Sequence, residues 1–322
     1  MSAMNNKSRS LIMCMTPLQM LIAEKIIESN LHTEFDLLVI VMNDNDKHKY
    51  YYNRLKRICF NTLYYTMEAG LSAFLKSKLQ LKKNYLDKDY QELYLASIEN
   101  RDFRYIISKN RYSKIFTFDD GIGNIVPSSE LYLKSKPNLL KIAIFKAFGI
   151  KYYKEDIRRL SLLHYTIYEN IPNIVNNTQL IKLYKDDVLY STKPTKILKI
   201  YLGQPLFDLS SQFHNNYVVK TIESLKIYFY YPHPREKELP SGDFDIIESS
   251  LVFEDYIVDY LRNNLDVQVD VYSFLSGTLL NIANLKRVSV KYIYNDYLFD
   301  NYKEFYNFAE KNFGIKCLAV SD

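Results

Sequence analysis

The chain has no tryptophan, only three cysteines and no long apolar run. Each scarcity removes a class of protein. Cys14, Cys59 and Cys317 are far apart and odd in number, they sit in apolar runs, and no C-x-x-C occurs. That argues against a disulfide framework and against zinc, and for a reducing, cytoplasmic compartment. No apolar stretch approaches the roughly 18–20 residues needed to span a bilayer. Lys7 and Arg9 precede the apolar run 11–15, as in a signal peptide, but Pro17 and Gln19 interrupt it, Glu24 and Lys25 follow, and no small-residue cleavage site appears. A strand feeding a helix is the better reading. Excess charge is scarce too: 42 Lys and Arg stand against 37 Asp and Glu, for a net +5. No basic patch interleaved with aromatics marks a nucleic-acid binder. The mild basic bias suits an anionic small substrate or an anionic membrane surface.

What is present is ordinary globular composition, 48% apolar and 25% charged. The 30 tyrosines read as a coding bias, although an amphipathic phenol can line a polar cleft. At roughly 100–200 residues per domain, 322 residues predict two domains. No internal repeat or low-complexity tract interrupts them.

Strands alternate with helices in the first half. A strand at 11–15 leads to Thr16, a helix cap with Pro17 at the first helical position and Gln19 three residues on. That helix runs to about residue 29. Strands follow at 36–42, 92–98 and 114–118, with helices at 47–58 and 101–109. The near-continuous apolar run at 36–42 is the pattern of a sheet buried on both faces. A polar stretch at 179–196, with the break Ser191-Thr192-Lys193-Pro194, marks a boundary, giving domains 1–190 and 191–322. The pattern then restarts: strands at 197–202, 226–231, 267–272 and 288–294, helices within 214–225 and at 276–285, and a last strand at 315–320. Two α/β halves of this kind predict Rossmann-like domains facing across a central cleft, with ligands beyond the carboxyl ends of the strands.

Five strand-end segments carry candidate chemistry. Asp119-Asp120-Gly121 closes the strand at 114–118; a carboxylate there fits a general base, and equally a helix cap or an Asx-turn. Two adjacent aspartates alone make a poor metal site. His233 stands between Pro232 and Pro234, which fix the backbone around an imidazole able to donate a proton near neutrality; a plain surface turn fits as well. Tyr272-Ser273-Phe274-Leu275-Ser276-Gly277-Thr278 follows a strand and opens a helix, offering hydroxyls and amides to an anion, or simple N-capping. Glu254 could accept ribose hydroxyls or sit at a solvated helix start. Thr16 and Gln19 are explained by capping, with a ligand role open. No histidines pair at metal-ligand spacing.

Taken together, Asp119-Asp120-Gly121 and His233-Pro234, with Thr16-Pro17-Leu18-Gln19, Gly203-Gln204-Pro205, His233-Pro234-Arg235-Glu236 and Tyr272-Ser273-Phe274-Leu275-Ser276, resemble the bacterial sialyltransferases of glycosyltransferase family 52, which act on lipooligosaccharide or capsule. The resemblance runs from residue 11 to about 290. It implies a GT-B arrangement, CMP-N-acetylneuraminate as donor, inversion at the anomeric carbon, and neither metal nor cofactor. It implies an aspartate of Asp119-Asp120 as base, Asp120 preferred, with Asp208 in reserve. His233 would act on the leaving phosphate, Ser273, Ser276 and Thr278 would bind it, and Glu254 would hold the ribose. Thr16, Gln19, Gly121, Gly203, Gln204 and Pro234 carry over as further donor-binding positions. Gly277 departs from the pattern, where a second small hydroxyl residue is expected. A different nucleotide-sugar donor, or a non-catalytic module of a polysaccharide assembly complex, are the competing readings. A glycan acceptor, peripheral contact with the inner membrane surface and a homodimer complete the expected partners.

Overall fold

The computed structural model describes residues 8–68, 70–86, 88–134, 139–185, 194–236 and 238–319. By contacts the chain divides into two compact units, one up to Leu183 and one from Tyr184. The boundary expected at 190/191, and the break at 191–193, lie outside the described residues.

The first unit runs β1 (Ser8–Cys14), α1 (Pro17–Ser29), β2 (Thr33–Val41), α2 (Asp46–Lys56), β3 (Thr62–Thr66), α3 (Leu71–Leu81), β4 (Glu92–Leu95), α4 (Arg101–Lys109), β5 (Lys114–Phe118), α5 (Leu139–Ala147), α6 (Lys154–Leu160), β6 (Ser161–Thr166) and β7 (Thr178–Leu180). All its strands are parallel, in the order β3-β2-β1-β4-β5-β6-β7. Leu11 to Cys14 and Leu37 to Val41 have no exposed surface, because a parallel sheet is covered on both faces by its crossover helices. Alternate residues Leu11, Met13, Leu38, Ile40, Leu93 and Leu95 join Phe74, Phe103 and Ile106 in one core.

Local chemistry sets the helix starts. The Thr16 hydroxyl accepts the Gln19 N–H, with Pro17 at the first position. The Gln19 side chain reaches one residue further back than a capping box would take it, accepting the Met15 N–H at 2.6 Å. Asn100 caps α4 by accepting the N–H groups of Asp102 and Phe103.

The second unit runs β8 (Lys196–Leu202), α7 (Asn215–Ser224), β9 (Phe229–Tyr231), β10 (Asp245–Ile246), α8 (Phe253–Asn263), β11 (Val267–Ser273), α9 (Thr278–Ile282), β12 (Val288–Ile293), α10 (Asp296–Asn301), α11 (Lys303–Phe313) and β13 (Cys317–Leu318). Its sheet is also wholly parallel, ordered β10-β9-β8-β11-β12-β13. Three expectations shorten here. Strand β9 starts at Phe229 rather than 226 because Lys226 turns the chain in a left-handed conformation, φ 53°. Helix α9 starts at Thr278 and ends at Ile282 rather than covering 276–285. Strand β13 is two residues long, and residue 320 of the expected strand lies outside the described residues.

In each sheet the first strand has its successor on one side and a later strand on the other. The strand order therefore reverses between β1 and β4, and again between β8 and β11. Crevices at such points, beyond the strands' carboxyl ends, are where α/β sheets bind ligands.

Candidate active site

In the first unit the β1/β4 crevice gathers Thr16, Gln19, Asp119, Asp120 and Gly121, together with Ser97. The two adjacent carboxylates differ completely. Asp119 has no exposed surface. One of its oxygens accepts Thr166 Oγ1 and the Ile167 N–H, each at 2.7 Å; the other takes Asn173 Nδ2 at 3.0 Å and lies 2.9 Å from His164 Nε2. His164 Nδ1 is in turn 2.8 Å from Thr117 Oγ1. Every lone-pair direction of Asp119 is engaged inside the protein, joining the ends of β5 and β6.

Asp120 keeps partial exposure. Ser97 Oγ donates to its Oδ2 at 3.0 Å, and Gln19 Nε2 donates to its Oδ1. The Gln19 amide also reaches Ser97 Oγ at 2.9 Å, so one side chain, aimed by the Met15 N–H, positions both hydroxyl and carboxylate. The turn beyond is closed by the Asp120 N–H on Asn124 Oδ1, with Gly121 at φ 92°, a conformation glycine adopts without Cβ strain. Burial raises the Asp120 carboxyl, the Ser97 and Gln19 hydrogen bonds pull it back in part, and the Asp119 charge adds to the rise; the balance is about 6 against an ordinary 3.8. A carboxylate poised there suits proton abstraction near neutrality. Thr16 is exposed beside this group as the cap of α1.

In the second unit the loop after β8 is built around close approach. A Cβ on Gly203 would stand 2.5 Å from Glu236 Oε2 and 2.7 Å from Tyr230 Oη, so any larger residue requires these side chains to move. Gln204 Oε1 accepts Ser273 Oγ at 2.9 Å and the N–H groups of Phe274 and Leu275 at 3.1 and 2.8 Å, tying the ends of β8 and β11 across the point where the strand order reverses. The expected phosphate ligand Ser273 is therefore a wall residue. It has no exposed surface, and its hydroxyl lies between Leu202 O and Gln204. Ser276 and Thr278 stay partly exposed on the next turn, where Ser276 Oγ accepts the Thr278 N–H at 3.3 Å. Glu254 is 4% exposed and accepts Asn281 Nδ2 at 2.7 Å. Burial raises its carboxyl, partly offset by Asn281. It begins α8, as a solvated helix start would, but it is buried.

His233 follows β9. Glu236 accepts the His233 N–H at 2.6 Å and the Tyr230 hydroxyl at 2.5 Å. The Arg235 N–H donates to His233 Nδ1 at 3.1 Å. With Nδ1 accepting, the neutral ring carries its proton on Nε2. Pro234 is exposed within this turn. Beside it opens a cavity of about 610 Å³ whose lining includes Gln204, Asp208, His214, Tyr230, Arg235 and Glu236.

Residue-type motifs did not single out Ser97, His164, Thr166, Asn173 or Asn281. Ser97 lies just beyond β4, so the strand-end rule applied to every strand finds it. The partners of Asp119 come from β6 and the loop after it, and show only once that strand is paired with β5. Among the described residues, no cluster of three His, Cys, Asp or Glu could hold a metal ion, and no helix is long and apolar enough to cross a membrane.

Two wholly parallel-sheet α/β domains, each with polar side chains gathered where its strand order reverses, place the chain in the GT-B class of fold. The family model of glycosyltransferase family 52 matches residues 33–296. The chain belongs to glycosyltransferase family 52. It is 33% identical over 278 residues (85% of this chain, 87% of the relative) to a CMP-N-acetylneuraminate:beta-galactoside alpha-2,3-sialyltransferase of Pasteurella multocida. It is 30% identical over 287 residues (88% and 91%) to an N-acetyllactosaminide alpha-2,3-sialyltransferase of Haemophilus influenzae. Among solved structures, UDP-N-acetylglucosamine 2-epimerase from Rickettsia bellii shares the fold, with a TM-score of 0.50 at 11% identity over 90% of this chain and 80% of that one.

Proposed function

We propose that this protein transfers N-acetylneuraminic acid from CMP-N-acetylneuraminate to the 3-hydroxyl of a terminal galactose, or similar sugar, on a bacterial surface glycan such as lipooligosaccharide or capsule. Transfer proceeds with inversion and without metal or cofactor. The linkage and donor follow the names of the relatives. The observation that carries the chemistry is the His233 turn, in which Glu236 holds the backbone and the Arg235 N–H fixes the tautomer.

In this reading a carboxylate takes the acceptor hydroxyl proton as that oxygen attacks the anomeric carbon. The bond from that carbon to the CMP phosphate breaks, its electron pair leaves with CMP, and His233 Nε2–H donates to the phosphate oxygen. Ser276 and Thr278 add donors to the phosphate. A single leaving phosphate needs only this much neutralisation, and Asp119, already filled by internal donors, offers no oxygen to a cation.

Asp120 is the base on the strength of its raised carboxyl. A second assignment, Asp208, rests on a different observation: it is exposed, and it lines the cavity with Arg235 and Glu236 of the His233 turn. CMP release from CMP-N-acetylneuraminate with a β-galactoside, in EDTA, decides among these. Wild type is active, and His233→Ala loses roughly 10²–10⁴-fold. Whichever of Asp120→Ala and Asp208→Ala falls as far identifies the base. Loss of activity in EDTA, or sugar transfer only from another nucleotide sugar, overturns the reading. The same reading puts the protein peripherally on the inner membrane surface beside a lipid-linked acceptor; a homodimer is the oligomer to look for by light scattering.

A further inference from the structure

Helix α5 is apolar apart from Lys141 and Lys146. Phe145 packs inward against the core with Phe148 just beyond the helix, whose ring lies 5.6 Å from Phe74. The opposite side offers Leu139, Leu140 and Ile144, which are 77%, 72% and 41% exposed, with exposed Leu133 a few residues upstream. A surface helix of a globular protein normally turns charge to water on that side. Here no acid lies between Glu130 and Glu155. Residues 131–154 contain six lysines and no Asp or Glu, against a net charge of +5 for the whole chain. The rest of the molecule taken together is thus slightly acidic, and the basic bias is the property of this one segment. Lys134, Lys146 and Lys151 of this segment are exposed.

We propose that α5 is a docking surface for an anionic lipid bilayer. Leu139, Leu140 and Ile144 enter the interface and the surrounding lysines meet the headgroups, the arrangement by which an amphipathic segment lies on a membrane without crossing it. The charge complementarity selects this occupant: a second copy of the chain would set the exposed Lys134, Lys146 and Lys151 against the same three lysines. The inference makes specific the peripheral membrane contact in the function proposed above, and it requires no turnover to be tested.

The test is flotation of the full chain with phosphatidylcholine vesicles, with and without phosphatidylglycerol. The expected result is binding to the anionic vesicles alone, weakened by salt. Replacing Leu139, Leu140 and Ile144 together by Gln should weaken it roughly a hundredfold. Replacing Lys134, Lys146 and Lys151 by Ala should weaken it roughly tenfold or more. Both variants should keep wild-type CMP release with a soluble galactoside, which also shows that they fold. Equal binding to neutral vesicles, no binding at all, or unchanged binding in the leucine variant overturns the proposal. So does a dimer in light scattering that the leucine variant splits, since the patch is then a contact between copies. Vesicle binding in a protein that transfers no sialic acid would leave this surface standing and remove the catalytic reading instead.

Discussion

His164 Nε2 lies 2.9 Å from Asp119 Oδ1 with both side chains fully enclosed. The pair joins β5 to β6 and holds the residue before Asp120 in place. Removing the Asp119 carboxylate leaves the Thr166 hydroxyl, the Ile167 N–H and the Asn173 amide without their acceptor, at a cost of about 1–3 kcal/mol for each buried group left unsatisfied. Asp119→Ala is therefore expected to lower the urea midpoint sharply. Asp120→Ala, whose side chain keeps contact with solvent, should lower it far less. Equal midpoints for the two variants would show that Asp119 has no structural role.

Asp120 presents the reverse case. Its folded carboxyl is raised to about 6 from 3.8, so the folded protein holds this proton more tightly than the unfolded chain. Stability is then lost as pH rises between those values, and the loss is complete above 6. The two-unit shift corresponds to about 3 kcal/mol at most. Asp120→Asn should abolish that component and raise the melting temperature at pH 8 but not at pH 4. If Asp120 is the base, the same variant loses transfer, and the wild-type kcat/KM rises through pH 6. A melting temperature at pH 8 equal to or below wild type would contradict the raised carboxyl.

Gly203 acts on His233 through Glu236. An added methyl would enter within 2.5 Å of Glu236 Oε2 and 2.9 Å of Tyr230 Cε1, and Glu236 is the acceptor for the His233 N–H. Gly203→Ala should displace the His233 turn, reducing kcat more than it raises the KM for donor. A crystal structure of the variant with Glu236 unmoved, or wild-type kcat, would refute this coupling.

Much of this architecture can be read from the sequence. The apolar runs of β1, β2 and β8, and the Thr16 cap, were legible because a strand buried on both faces and a helix start leave local signals. Helix α4 and strand β5 coincide with the ranges read at 101–109 and 114–118. Strands β3, β6 and β7 were not seen. They are short, β3 and β7 are edge strands with little burial, and Ser161–Thr166 mixes polar with apolar residues. The Asp-Asp and His-Pro pairs were legible as motifs. What sequence did not separate was the work of Asp119 from that of Asp120, because the difference is made by His164, Thr166 and Asn173, some 45 to 54 positions away. The burial of Ser273 and Glu254 was hidden for the same reason: a hydroxyl or carboxylate at a strand or helix end carries no local sign of being enclosed.

Asp36 carries an acid-dependent contribution to stability. It lies fully enclosed on β2 and accepts Tyr90 Oη at 2.6 Å, Lys88 Nζ at 2.9 Å and Arg9 Nη2 at 3.1 Å. Burial alone would raise its carboxyl, but Tyr90, Lys88 and Arg9 outweigh that and hold it below the ordinary 3.8. Because the folded value is depressed, the stabilisation is present above the unfolded value and disappears as pH falls through the folded one. Asp36→Asn removes the titration while nearly keeping the shape. Its stability should fall below wild type at pH 7, and the gap should close as both proteins are taken below pH 4. Since Arg9 lies on β1 and Lys88 and Tyr90 lead into β4, the loss should loosen the strands that flank the Asp120 crevice and appear as faster amide exchange there. A constant gap at every pH would show that the three donors do not act through the charge of Asp36.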